Sequence, residues 1–255
     1  MPRNRRKKSS IVIFLLAVVL LGTLLLFGYL WWQHERSFRV RYAAFGITLP
    51  TGNYLHGIDV SHHQQRIAWE AVRAMRAGGI GIDFVFIKAT EGLQHTDRQF
   101  IRNWRKAREV RLPRGAYHYF IPSRSGTGQA LHFLRQVQLK RGDLPPVLDV
   151  EQTNNLPRSV LQQRVQEWLN TVERATGIKP IIYTNISFYE RWLGNRFDRY
   201  PLWVAHYLEP HQPRTRRNWL FWQHSETGRV NGIRNAVDFN VFRGDSTQLA
   251  KLLLK

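Results

Sequence analysis

Pro146-Val147-Leu148-Asp149-Val150-Glu151 is an apolar run that stops on two acids one residue apart. A short apolar segment bounded by prolines on one side and carboxylates on the other reads as a buried strand. Burying a strand and then ending it on two acids demands partners or a function. Residues two apart on a strand project from one face, separated by about 6.6–6.8 Å. Two crowded carboxyls in a partly dry cleft do not both ionise cheaply, so one of the pair is expected to titrate high. Taken alone, the D-x-E spacing fits a structural pairing with arginine as well as it fits catalysis.

Working outward from this strand, short apolar runs alternate with longer amphipathic ones. Strands are predicted at 56–60, 83–89, 115–120, 146–151, 180–184, 202–207, 219–223 and 236–240. Helices are predicted at 67–77, 96–110, 128–140, 157–176 and 187–193, with Asp97 placed to start the second and Gly177 to end the fourth. Repeated strand–helix units imply parallel strands with right-handed crossovers and helices outside. After residue 202 the helical stretches nearly vanish. The expected fold class is therefore α/β, a modified (β/α) barrel with an incomplete helical ring, preceded by one N-terminal transmembrane helix.

In such a barrel the C-terminal strand ends meet at one mouth, where catalytic groups are carried. The acids of this chain fall there: Asp59 in HGIDVS, Glu91 in FIKATEG, Asp149 and Glu151 in PVLDVE, and Asp238 in VDFN. A protonated Glu beside charged Asp partners suits protonation of a glycosidic oxygen. Tyr117, Tyr119, Tyr183, Trp203, Tyr207 and Trp222 lie in or beside strand ends, where aromatic rings stack on sugar C–H faces or simply fill the core. His62-His63 and His118 lack metal-ligand spacing, since adjacent histidines on an extended segment point apart. Neither a metal nor a cofactor is expected. Ser125-Gly126-Thr127-Gly128 reads as a polar loop before a helix, and no nucleophile-elbow or phosphate-loop motif occurs.

Charge is distributed unevenly. The 255 residues hold 38 Lys+Arg, thirty of them Arg, against 18 Asp+Glu, with no cysteine. A net charge of +20 invites a nucleic-acid reading. No nucleic-acid motif accompanies it, however, and an acidic cleft repels phosphate, so no nucleic acid is expected as partner. Residues 1–10 form a basic terminus expected to stay cytoplasmic. Residues 11–32 run without one charged side chain and end in Tyr29, Leu30, Trp31 and Trp32. That length spans a hydrocarbon core of about 30 Å and carries an interfacial aromatic belt, so it reads as an uncleaved signal-anchor. Residues 33–53 read as a linker, and 54–255 as one catalytic domain. The expected location is the bacterial inner (cytoplasmic) membrane, single-pass, with the catalytic domain outside the membrane or in the periplasm.

The blocks GIDVSHHQ, FVFIKATEG, RGAYHYF, PVLDVE, PIIYTN, LWVAHY, FWQHSETGRVNGI and VDFNVF occur in order from His56 to Phe242. Together they resemble the glycoside hydrolase family 25 lysozymes, the Chalaropsis-type N-acetylmuramidases. The resemblance implies hydrolysis of the β-1,4 bond between N-acetylmuramic acid and N-acetylglucosamine in peptidoglycan glycan strands. It implies Glu151 as general acid, Asp149 as the second central carboxylate, and Asp59 and Asp238 as the remaining acids of the cleft. It places Tyr183 at the reacting subsite, with Tyr117, Trp203 and Gln223 along the groove. Lys88 and Glu91 are expected to pair with each other. The competing reading is a membrane-tethered peptidoglycan-binding protein without catalysis, against which the presence of all four acids stands.

Overall fold

The computed structural model describes residues 3–37, 39–50, 52, 54–207, 209 and 212–255. Residues 1 and 2 of the basic terminus and 38, 51 and 53 of the expected linker fall outside that set.

Eight strands close into a barrel: β1 (Leu55–Val60), β2 (Phe84–Glu91), β3 (Arg114–Tyr119), β4 (Val147–Asp149), β5 (Ile181–Asn185), β6 (Leu202–Ala205), β7 (Phe221–Gly228) and β8 (Val237–Phe242). From β1 through β7 neighbours in sequence are parallel neighbours in the sheet. β8 then runs antiparallel to both β7 and β1 and closes the ring. The cause is the connection. A parallel return needs a crossover, usually a helix, and the β7–β8 link (229–236) carries none, so the chain turns straight back.

Alternation divides the side chains into two layers. Inward positions build an apolar plug of Phe84, Phe86, Val147, Ile181, Trp203, Phe221 and Phe242. Gly57 and Gly115 make room for it: an added Cβ would lie 2.4 Å from the Phe84 ring and 2.5 Å from the Phe86 ring. Outward positions such as Ile58, Val85, Ala116, Leu148, Ile182, Val204 and Trp222 pack under the helices. The helices are α2 (Trp69–Ala74), α3 (Phe100–Glu109), α4 (Gly126–Gln136) and α5 (Arg158–Thr176). Gly177 ends α5 in the left-handed region, φ 70°, as its position in the sequence predicts. Asp97 stands just ahead of α3, accepting from the backbone N–H of Gln99 at 2.8 Å.

Four segments depart from the sequence reading. The helix expected at 187–193 is one turn (α6, Ile186–Phe188) that widens into a π-turn over Tyr189–Leu193. Ser125 caps α4 directly, so the helix starts at Gly126, inside the stretch read as a loop. A C-terminal helix, α7 (Ser246–Leu252), carries an Asp245–Gln248 capping box and sets Leu249 against the interior plug. Within the expected linker, Arg39–Tyr42 and Ile47–Pro50 pair as a hairpin. Phe45, Ile47 and Leu49 of this hairpin are buried in the outer core, Phe45 against Phe239.

The N-terminal helix α1 (Arg3–Ser37) contains one candidate membrane span, Ile13–Trp32, with none of it buried against the barrel. Twenty residues at 1.5 Å rise measure about 30 Å, the thickness of a bilayer core.

Candidate active site

One end of the barrel opens into a pocket of about 250 Å³ lined by Asp59, Lys88, Tyr117, Tyr119, Asp149, Glu151, Tyr183, Trp203, Tyr207, Gln223, Glu226 and Asp238, with Ser61 and His63 at its edge. All eight site residues expected from the sequence converge there. The register explains how. Asp149 stands level with Tyr119 on one side and Tyr183 on the other, and Tyr183 is level with Trp203. Asp59 ends β1, whereas Asp238 begins β8; the reversed direction of β8 brings the two opposite each other.

Glu151 lies beyond the last residue of β4 and is exposed, while Asp149 is 5% exposed. Burial, followed by the charge of Glu151, pushes the Asp149 carboxyl well above the usual carboxylate range, with Lys88 pulling modestly the other way. The sequence reading puts the high-titrating carboxyl on the Glu beside a charged Asp; burial puts it on Asp149 instead. Its Oδ1 is buried without a hydrogen-bond partner, and the residue lines the pocket.

A second carboxyl pair is held by a ladder of amides and hydroxyls. Gln223 Nε2 and Asn240 Nδ2 donate to Asp59 Oδ2 at 2.8 and 2.7 Å. The hydroxyls of Tyr183 and Tyr207 both donate to Gln223 Oε1, at 2.7 and 2.6 Å, and Trp203 Nε1 donates to Asn240 Oδ1 at 2.8 Å. Both amides are therefore oriented with their N–H groups toward Asp59. Burial raises Asp59 to about 6 against these stabilising donors, and burial together with Asp59 raises Asp238 to about 9. Asp59 and Asp238 face each other in register and their charges couple, so the pair holds one proton at neutral pH. Lys88 bonds Glu91 at 2.7 Å as expected, and its ammonium also lies 4.7 Å from the Tyr119 ring centroid, beside the acids.

Residues 58–233 match the family model described as glycosyl hydrolases family 25. The chain belongs to that family. Among relatives, the uncharacterized protein YegX of Escherichia coli (strain K12) is 49% identical over 206 residues, covering 81% of this chain and 76% of that one. Lysozyme M1 of Streptomyces globisporus is 34% identical over 213 residues, 78% of this chain and 71% of that one. The bacterial lysozyme structure from Streptomyces coelicolor superposes with a TM-score of 0.72 at 34% identity, covering 78% of this chain and 96% of that one. This protein is accordingly a family 25 glycoside hydrolase.

In this hydrolase several sequence readings move. Trp203 is 2% exposed and stacks on Phe86 at 4.4 Å, so it floors the pocket more than it lines a groove. Trp222 is core, outside the barrel, with its Nε1 on the carbonyl of His206. His62 and His63 sit in a 3₁₀ turn, not an extended segment, and their rings come within 4.1 Å; His62 is tied to Asp97 at 2.8 Å. His118 lies behind the sheet between Thr90 and Gln129, where burial lowers it to about 3 and keeps it neutral. Tyr119, Tyr207, Glu226 and Asn240 complete the site beyond the eight named residues. Asn240 was legible as the second member of D-x-N on an alternating strand; Glu226, in a bulged stretch of β7, carries no such signal.

Proposed function

We propose that this family 25 hydrolase is a peptidoglycan-cleaving lysozyme, cutting the β-1,4 bond between N-acetylmuramic acid and N-acetylglucosamine. The observation that carries the reading is the Asp149–Glu151 pair in one pocket, one carboxyl buried and high-titrating, the other exposed. Glu151 delivers a proton to the leaving glycosidic oxygen as an oxocarbenium-like centre develops. That proton is the one held by Asp149, passed on through Glu151, so that both carboxyls are left anionic. As a carboxylate, Asp149 accepts from the N–H of the substrate's 2-acetamido group, whose carbonyl oxygen attacks the anomeric carbon from within the substrate. Water then gives a proton to Glu151 as it opens the cyclic intermediate, and the proton passes back to Asp149, giving net retention. The Asp59–Asp238 pair, fixed by Gln223 and Asn240, sits beside this centre and sets its field.

The apolar span Ile13–Trp32, its aromatic end and the basic residues before it support a signal-anchor in the bacterial inner membrane. The catalytic domain then works on the wall side, held to the membrane through the hairpin packed on the barrel.

Mass spectrometry of digested sacculi tests the reading. The expected products are muropeptides ending in reducing N-acetylmuramic acid, and NMR of the first-formed anomer is expected to show retention. Products ending in reducing N-acetylglucosamine, or an inverted first anomer, overturn the bond or the route respectively.

A further inference from the structure

The loop after β1 (61–68), against which the β7–β8 link (229–236) packs, has two sides. One borders the acidic pocket, through Ser61 and His63. The other borders a cavity of about 730 Å³ lined by Arg66, Arg102, Lys106 and Arg234, with Glu70 its one acid. The partition between them is rigid. Ala68 N–H donates to Gly232 O at 2.9 Å, Gln64 Nε2 to Ala236 O at 2.9 Å, and Asn235 Nδ2 to His63 O at 2.6 Å. Gly232, at φ 91°, is required there, since an added Cβ would lie 2.4 Å from Ala68 O.

The charges of this cavity are unspent. Lys106 is neutralised by Glu109 at 2.6 Å and Glu70 at 3.9 Å. Arg102 donates to Ile67 O at 3.0 Å and to Asn103 Oδ1 at 3.5 Å, both neutral acceptors, and among the described residues no carboxylate pairs with Arg66, Arg102 or Arg234. Three guanidiniums thus face a concave surface that adjoins a mouth of opposite sign. Guanidiniums bind carboxylates in a fork that a point charge does not match. A glycan chain seated in the acidic mouth is neutral along its backbone. Its charge lies on the peptide that branches from the lactyl group of each N-acetylmuramic acid, and this peptide carries free carboxylates.

We propose that the Arg66–Arg102–Arg234 cavity is a subsite for stem-peptide carboxylates, which makes the enzyme selective for peptide-bearing glycan. The inference rests on the muramidase reading above. Full-length protein in detergent micelles, wild type and R66Q/R234Q, is assayed on purified sacculi and on the same glycan after enzymatic removal of the peptides. Both arginines are exposed, so matching melting temperatures are expected and confirm that the variant folds. The variant's KM is expected to rise about three- to tenfold on peptide-bearing glycan and to stay unchanged on bare glycan. High salt is expected to erase the wild-type preference. Equal effects on both substrates, or none, overturn the subsite while leaving the muramidase reading intact. Wild-type inactivity on both substrates overturns the muramidase reading and the subsite with it.

Discussion

Asp238 and Asp59 are register partners across the antiparallel β8–β1 pair, and both line the acidic pocket. Their proximity follows from one topological event, the reversal of β8. Both carboxyls titrate above their unfolded value of 3.8, Asp59 at about 6 and Asp238 at about 9. The folded state therefore binds more protons than the unfolded state between those limits, and stability falls as pH rises from about 4 to about 9. Asp238→Asn removes the group that loses its proton last. It is expected to be more stable than wild type at pH 8.5 by about 1–3 kcal/mol and to show little gain at pH 4. Urea midpoints at the two pH values check this, and an equal gain at both removes the shared proton as the cause.

Glu151→Gln keeps the shape and hydrogen-bonding reach of an exposed side chain while removing its proton. Stability is expected to stay unchanged, whereas turnover of sacculi falls about 10²–10⁴-fold. Soluble muropeptide release, measured alongside a thermal melt, separates the two effects. Near-native turnover would show that another group protonates the leaving oxygen.

The eight barrel strands were legible because parallel strands buried on both faces read as apolar runs, and their ends carried the acids of an acid-poor chain. The direction of β8 was not legible in its residues, since a period of two is the same read either way; the connection before it carries that information. Arg39–Tyr42 and Ile47–Pro50 read as linker because the apolar contacts that hold the hairpin, at Phe45, Ile47 and Leu49, are made with the distant barrel rather than within the segment. The short α7 was missed because seven residues show too little periodicity, although its capping box was present in Asp245 and Gln248. Of the site, the acids were legible by type and position. The amide ladder was not, because Gln223 and Asn240 acquire their roles from partners on other strands.

Gln223 is the junction of that ladder, with two tyrosine hydroxyls on its oxygen and Asp59 on its nitrogen. Gln223→Glu keeps the oxygen and replaces the donor with a third carboxyl beside Asp59. Asp59 is then expected to titrate higher still, moving the acid limb of the kcat/KM profile upward. A loss of about 10–100-fold in kcat at neutral pH is expected from the misplaced charge. Gln223→Met, which removes all three bonds without adding charge, is expected to cost about 1–3 kcal/mol of stability. A pH–rate profile that is unshifted in Gln223→Glu argues that Asp59 does not report on turnover.

Trp203 and Tyr207 make opposite predictions although both line the pocket. Trp203 is buried on Phe86, and its indole N–H fixes the Asn240 amide so that Nδ2 faces Asp59. Trp203→Phe leaves Asn240 Oδ1 without a donor and is expected to cost about 1–3 kcal/mol, with a small change in KM. Tyr207 is 36% exposed, at the rim, and its loss bares little core. Tyr207→Ala is expected to move KM by about three- to tenfold with a stability change under about 1 kcal/mol, as a rim aromatic does when it stacks on a sugar face. Paired denaturation and steady-state measurements on the two variants decide the matter. A KM effect larger in Trp203→Phe than in Tyr207→Ala reverses the assignment of floor and rim.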